Sequence, residues 1–229
     1  MRFIFISVFL LILSCTKDDT GISEKNSDDF NSSLKEDYNR FIFYEGQATY
    51  SINHNGLDRE YILYIPPNIE SRTNLPVIFN FHGYQGRANQ FFNMTDLIEI
   101  ANENGVVLVY PQGAPLDGGP SHWNAAPLNS STPSFVNKSN VNDLEFFFYL
   151  LDDVNQNNIL DLNRVYAIGY SNGGMFSHFL ACNTENIFAA IGDVAGTMLL
   201  DTYNNCNPSS PVPVLKIHGT SDNVVSYNG

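Results

Sequence analysis

The stretch Val165-Tyr166-Ala167-Ile168-Gly169-Tyr170-Ser171-Asn172-Gly173-Gly174-Met175-Phe176 decides the fold. It reads as a buried strand, a sharp turn carrying one serine between glycines, and the first turn of a helix. Glycines on both sides let the strand and helix backbones approach without a Cβ clash, so the serine hydroxyl stands clear of both. Ser171 is therefore the candidate nucleophile. The pentapeptide from Gly169 to Gly173 is weak by itself, because common residues produce it by chance. The strand before it and the helix after it give it meaning.

Outward from this turn, short apolar blocks alternate with helical patterns. Residues 76–81 and 106–110 read as strands, and residues 95–102 between them as a helical connection ending before Gly105. Residues 143–153 read as a helix with Leu144, Phe147, Phe148 and Leu151 on one face, leading into the strand at 165–168. Further strands are expected at 189–194 and 214–218. Upstream, residues 48–52 and 60–65 alternate apolar and polar around Asn55-Gly56, a dipeptide that accepts positive φ at both positions, and form an edge hairpin. The fold class is α/β: a mostly parallel sheet covered by helices on both faces, with ligands at the carboxyl ends of its strands.

Residues 111–138 form a long segment rich in Pro, Gly, Ser and Asn that carries Trp123, the single tryptophan. Two placements are open for it, a wall or lid of a substrate cleft, or a surface excursion with Trp123 tucked into the core. Residues 153–157 begin like a calcium loop, yet the sixth position lacks glycine and Arg164 stands where a bidentate glutamate belongs. No zinc spacing occurs either, so no metal and no cofactor are assigned.

A chain of 229 residues with 43% hydrophobic content buries one substantial core. Arg2 and the apolar run 3–13 form a secretory signal too short to span a bilayer as a mature helix. The ending Ile12-Leu13-Ser14-Cys15 resembles a bacterial lipobox, which makes Cys15 a lipid-modified membrane anchor; an ordinary signal peptide cut nearby is the plainer alternative. Lys17-Asp18-Asp19 resembles a short surface-export tag. The expected organisation is a signal peptide at 1–15, a disordered tether at 16–40 and one folded domain at 41–229. A net charge of −13 excludes nucleic acid as a partner. Cys182 and Cys206 are the pair left once Cys15 is lipidated, and an oxidising compartment predicts a disulfide between them, two inert buried thiols being the alternative.

A serine that attacks a carbonyl needs a base, an acid to orient that base, and donors for the oxyanion. The strand at 76–81 runs into His82-Gly83-Tyr84, where a turn presents a backbone N–H, with Tyr84 the expected donor. The second donor is the N–H of Asn172, at the positive end of its helix. Downstream, His218-Gly219-Thr220-Ser221-Asp222 follows a strand, in the chain order serine then aspartate, so Asp222 is the candidate orienting acid.

The ordered set Tyr61 to Pro67, Phe81-His82-Gly83, Tyr110 to Gly113, Trp123-Asn124, Val141 to Asp143, Arg164 to Met175, Phe188 to Ala190 and Val212 to Asp222 resembles the polyhydroxybutyrate depolymerase and feruloyl esterase group of α/β-hydrolases. The resemblance covers residues 49–229. It implies a secreted serine esterase acting on acyl esters of plant polysaccharides or on hydroxyalkanoate polyesters, and in that group the cysteines matching Cys182 and Cys206 often pair. A monomer is expected.

The sequence departs from the group in its base. A histidine is expected after Asp222, and residues 223–229 contain none; His218, His178 and His82 look structural, and His54 and His122 lie outside the expected site. The expectation is that the last strand, the last helix and the histidine lie beyond Gly229, and that the literal chain is nearly inactive. The alternative is a catalytically inactive surface lipoprotein that binds glycan or another ligand.

Overall fold

The computed structural model describes residues 45–228 apart from 68, 70–72, 117–118, 129–137 and 157. The signal peptide, Cys15 and the tether lie outside the described residues.

The hairpin expected at Asn55-Gly56 forms, longer than its alternation suggests. β1 (Gly46–His54) and β2 (Leu57–Ile65) pair antiparallel along their whole length, with Asn55 at φ 54° and Gly56 at φ 80°. The twist of such a turn matches that of the strands it joins. β2 then pairs antiparallel with β4 (Val107–Pro111). From there the sheet is parallel through β3 (Leu75–Phe81), β7 (Leu160–Tyr170), β8 (Phe188–Val194) and β9 (Val214–Ile217). The strand order is β1-β2-β4-β3-β7-β8-β9, and β5 (Ala114–Pro115) and β6 (Ser121–His122) form a separate two-stranded ribbon.

Side chains alternate across the sheet into two cores. Tyr61, Leu63, Val77, Phe79 and Phe81 enter the larger one, whereas Ile62, Tyr64, Leu108 and Tyr110 enter the smaller. The smaller core is closed by α1 (Ala88–Thr95) and by Ala101 of α2 (Ile98–Asn104). The larger is closed by α3 (Asp143–Val154) and α4 (Asn172–Asn183), while α5 (Leu200–Asn204) packs near α4. Helices therefore cover both faces, as the alternation of elements requires.

Two expectations need correction. The single helix at 95–102 is in fact two helices, α1 and α2, separated where Asp96 adopts φ 51°. The buried stripe of α3 is Asp143, Phe146, Phe147, Leu150, Leu151 and Val154, while Phe148 is 38% exposed. A charged residue heads that stripe because Asp143 pairs with buried Arg59 at 2.9 Å, and a count of apolar residues alone misplaces the face. Trp123 is fully buried, so the core placement is the observed one. Residues 153–156 and 158–160 make a helix-to-strand turn in which Asn155 Oδ1 accepts from Leu160 N–H. Cys182 and Cys206 form the disulfide, fastening the end of α4 to the segment after α5.

Candidate active site

β7 ends at Tyr170 and α4 begins at Asn172, so Ser171 alone makes the turn. It does so at φ 52° and ψ −116°, a region that costs a non-glycine residue roughly 1–3 kcal/mol. Two backbone bonds hold it there: Ser171 N–H donates to Val194 O at 2.8 Å, and Met175 N–H donates to Ser171 O at 3.0 Å. The flanking glycines are required by contact. A Cβ on Gly169 would lie 2.0 Å from the carbonyl carbon of Gly173, and one on Gly173 would lie 2.0 Å from Phe81 O.

Phe81 closes β3, so the serine turn is pressed against the element that carries the second half of the site. There, Gly86 N–H donates to Gly83 O at 2.9 Å and Gln85 N–H to Ser121 O at 2.8 Å, bonds that leave Tyr84 N–H outside their set. His82 organises this turn. Gly113 N–H can only donate, and it meets His82 Nε2 at 2.9 Å, so Nε2 is the bare nitrogen and Nδ1–H donates to Gly83 O at 2.8 Å. Burial, reinforced by nearby Arg59 and opposed by the Gly83 bond, lowers the His82 pKa to about 4 and keeps the ring neutral at neutral pH.

Asp222 stands at the end of the loop after β9. Its Oδ1 accepts from Val224 N–H at 2.8 Å and Val225 N–H at 3.0 Å, and these bonds hold its carboxyl below the ordinary range. Among the described residues Oδ2 meets His218 Nε2 alone, at 3.4 Å, while that nitrogen donates to Val225 O at 2.8 Å. His178 Nε2 is bound to Asp193 Oδ2 at 3.1 Å. His54 contacts Glu145, and His122 contacts Ala114 O and Asn124. Each of the five histidines is thus engaged elsewhere, and none of these bonds joins one to Ser171.

Sequence reading missed three supports. Trp123 bonds both to Asn172 and, through its indole N–H, to His82 O. The Asn172 side chain, beyond its backbone N–H, is the partner in the first of these. Asp193, fully buried at the end of β8, accepts from Gly196 N–H at 2.8 Å, from Lys216 Nζ at 2.8 Å and from His178. Burial works to raise the Asp193 pKa, but the bonds from His178 and Lys216 prevail and lower it. The signal available in sequence was an aspartate inside an otherwise apolar strand.

A hollow of about 900 Å³ is lined by His54, Asn55, Ser139 and Asn142 and touches none of the candidate catalytic groups. A smaller one of about 160 Å³ is bordered by Gly83, Tyr84, Phe91, Met94 and Tyr170, one residue from Ser171. Position relative to Ser171, rather than size, makes the smaller hollow the candidate cleft.

A strained serine between an interior strand of a mostly parallel sheet and the helix that follows it is the arrangement of an α/β-hydrolase. Residues 59–228 match the family described as Esterase PHB depolymerase, and the chain belongs to that family. It is 27% identical over 173 residues to a feruloyl esterase B of Piromyces equi, covering 75% of this chain and 30% of that one. It is also 27% identical over 172 residues to a bifunctional acetylxylan esterase/xylanase of Neocallimastix patriciarum, covering 75% and 22%. The chain therefore spans less than a third of either relative's length. A solved thermostable esterase shares the fold with a TM-score of 0.60 at 17% identity, over 80% of this chain and 48% of that one.

Proposed function

We propose that the protein is a serine carboxylic-ester hydrolase acting on acyl esters of polysaccharides, of the feruloyl or acetyl type, or on hydroxyalkanoate polyester. The observation that carries this reading is the strained Ser171 turn packed on the end of β3. Similarity to a feruloyl esterase and to a bifunctional acetylxylan esterase/xylanase supports the substrate class.

In the proposed reaction Ser171 Oγ bonds to the acyl carbon as its proton passes to an imidazole. The carbonyl oxygen becomes an oxyanion received by Tyr84 N–H and Asn172 N–H, and the alcohol leaves with the proton from the imidazolium. Water then repeats the sequence on the acyl-serine and frees the acid. No metal or cofactor enters these steps. The base is proposed to be an imidazole held by Asp222 Oδ2, the carboxylate oxygen with the least local engagement. Export as a lipoprotein anchored through Cys15, acting as a monomer, completes the proposal.

The second reading, a non-catalytic lipoprotein that binds glycan, is favoured by the engagement of all five histidines. Methyl ferulate, acetylated xylan and polyhydroxybutyrate, offered to the protein from its native cells, separate the two. Release of acid from at least one, lost in Ser171→Ala, is expected; glycan retention without release from any would favour the second reading.

A further inference from the structure

We infer that Trp123 is a positioning residue that fixes the distance between the two backbone arms of the oxyanion site, a role that rests on the esterase reading above. One arm is the His82–Tyr84 turn at the end of β3, and the other is the Ser171–Asn172 turn at the start of α4. Trp123 is bonded to both. Its N–H donates to Asn172 Oδ1 at 2.8 Å, and Asn172 Nδ2 donates back to Trp123 O at 2.9 Å. Its indole Nε1–H donates to His82 O at 3.0 Å. A planar, rigid ring therefore separates the bonds to one arm from the bond to the other.

The apolar contacts repeat the same link. The indole lies parallel to Phe176 of α4 at 5.2 Å and 10°, and edge-on to Phe81, the residue before His82, at 5.2 Å. Arg59, whose guanidinium carbon lies 5.7 Å from the indole centroid, is itself fixed by Asp143. Asp143 Oδ2 in turn accepts from the N–H of Asn124, the next residue, at 2.8 Å. Both sides of the ring are thus held, and the tryptophan has no freedom to follow one arm without the other.

Trp123 is fully buried, so it cannot touch substrate. Whatever it does for the reaction passes through the arms. An oxyanion forms only as the reaction proceeds, and a displacement of about 1 Å in such a site costs on the order of 10²-fold in rate. Loosening the tie should accordingly lower turnover while substrate binding in the ground state stays nearly constant.

The experiment follows the indole N–H signal of Trp123 in a nitrogen-15 spectrum, assigned by its loss in Trp123→Phe. Hydrogen exchange of that proton is measured in the parent and in Asn172→Ala. Exchange at least roughly tenfold faster in Asn172→Ala, with backbone protection of β1 and β2 unchanged, is expected if the two arms are coupled through the ring. In parallel, Trp123→Phe keeps the aromatic stack and removes the bond to His82 O. Its rate of reaction with a fluorophosphonate and its kcat on p-nitrophenyl acetate should fall roughly 10- to 100-fold with KM within about twofold. Unchanged indole exchange in Asn172→Ala overturns the proposal. So does a Trp123→Phe protein that melts earlier yet reacts at the parent rate, since that is a purely structural role. If the parent itself takes no fluorophosphonate, the esterase reading fails instead, and the exchange result alone decides whether the arms are coupled.

Discussion

Ser171 is held where an L-residue is strained, and the strain is the cost of lifting its hydroxyl clear of strand and helix. Ser171→Gly should therefore stabilise the fold by about 1 kcal/mol, read from the denaturant midpoint, since relief of strain exceeds the added freedom of the unfolded chain. His82 sets a pH dependence. Its folded pKa, about 4, lies below the ordinary 6.5, so the unfolded chain takes up the proton first as pH falls. Stability should fall by about 3 kcal/mol between pH 6.5 and 4, and His82→Gln should flatten that part of the profile. The strand-to-helix turn at Ser171 and the loops that follow β3 and β9 were legible in sequence because each lies in a short local pattern. The Asn172 amide, Trp123 and Asp193 were not, because their partners lie 49, 41 and 15 residues away and only the folded sheet brings them together.

Among the elements, the contact between α4 and β3 decides whether the site exists. Gly173→Ala would place a methyl 2.0 Å from Phe81 O, against backbone that cannot move without shifting β3. We expect a loss of at least about 2 kcal/mol, or failure to fold, measured by thermal unfolding of the purified variant. The sheet was readable because a two-residue period and helix-length connections fix strand and helix alternately. The face of α3 was not, since its stripe begins with Asp143, a residue that enters the core only because Arg59 is there to receive it. Burial works to raise the Asp143 pKa and lower that of Arg59, and their mutual contact opposes both shifts. Asp96 was equally illegible as a break between helices, because a left-handed aspartate carries no sequence signal of its own.

For the molecule as a whole, the Cys182–Cys206 bridge closes a separation of 24 residues around α5. Replacing both cysteines by serine should cost about 3 kcal/mol in denaturant unfolding, the entropy returned to the unfolded chain by a loop of that length. β9 lies at the edge of the sheet and leaves Val214, Leu215 and Ile217 between 47% and 66% exposed. Asp222 follows this strand, so the candidate acid hangs from the sheet edge while the candidate nucleophile hangs from an interior strand. Everything functional proposed here turns on Ser171 being the group that attacks. Protein isolated from its native cells, treated with a fluorophosphonate and mapped by mass spectrometry, should carry a single adduct, on Ser171. An adduct on another residue, or none on Ser171 while other serine hydrolases of the same extract are labelled, would contradict it.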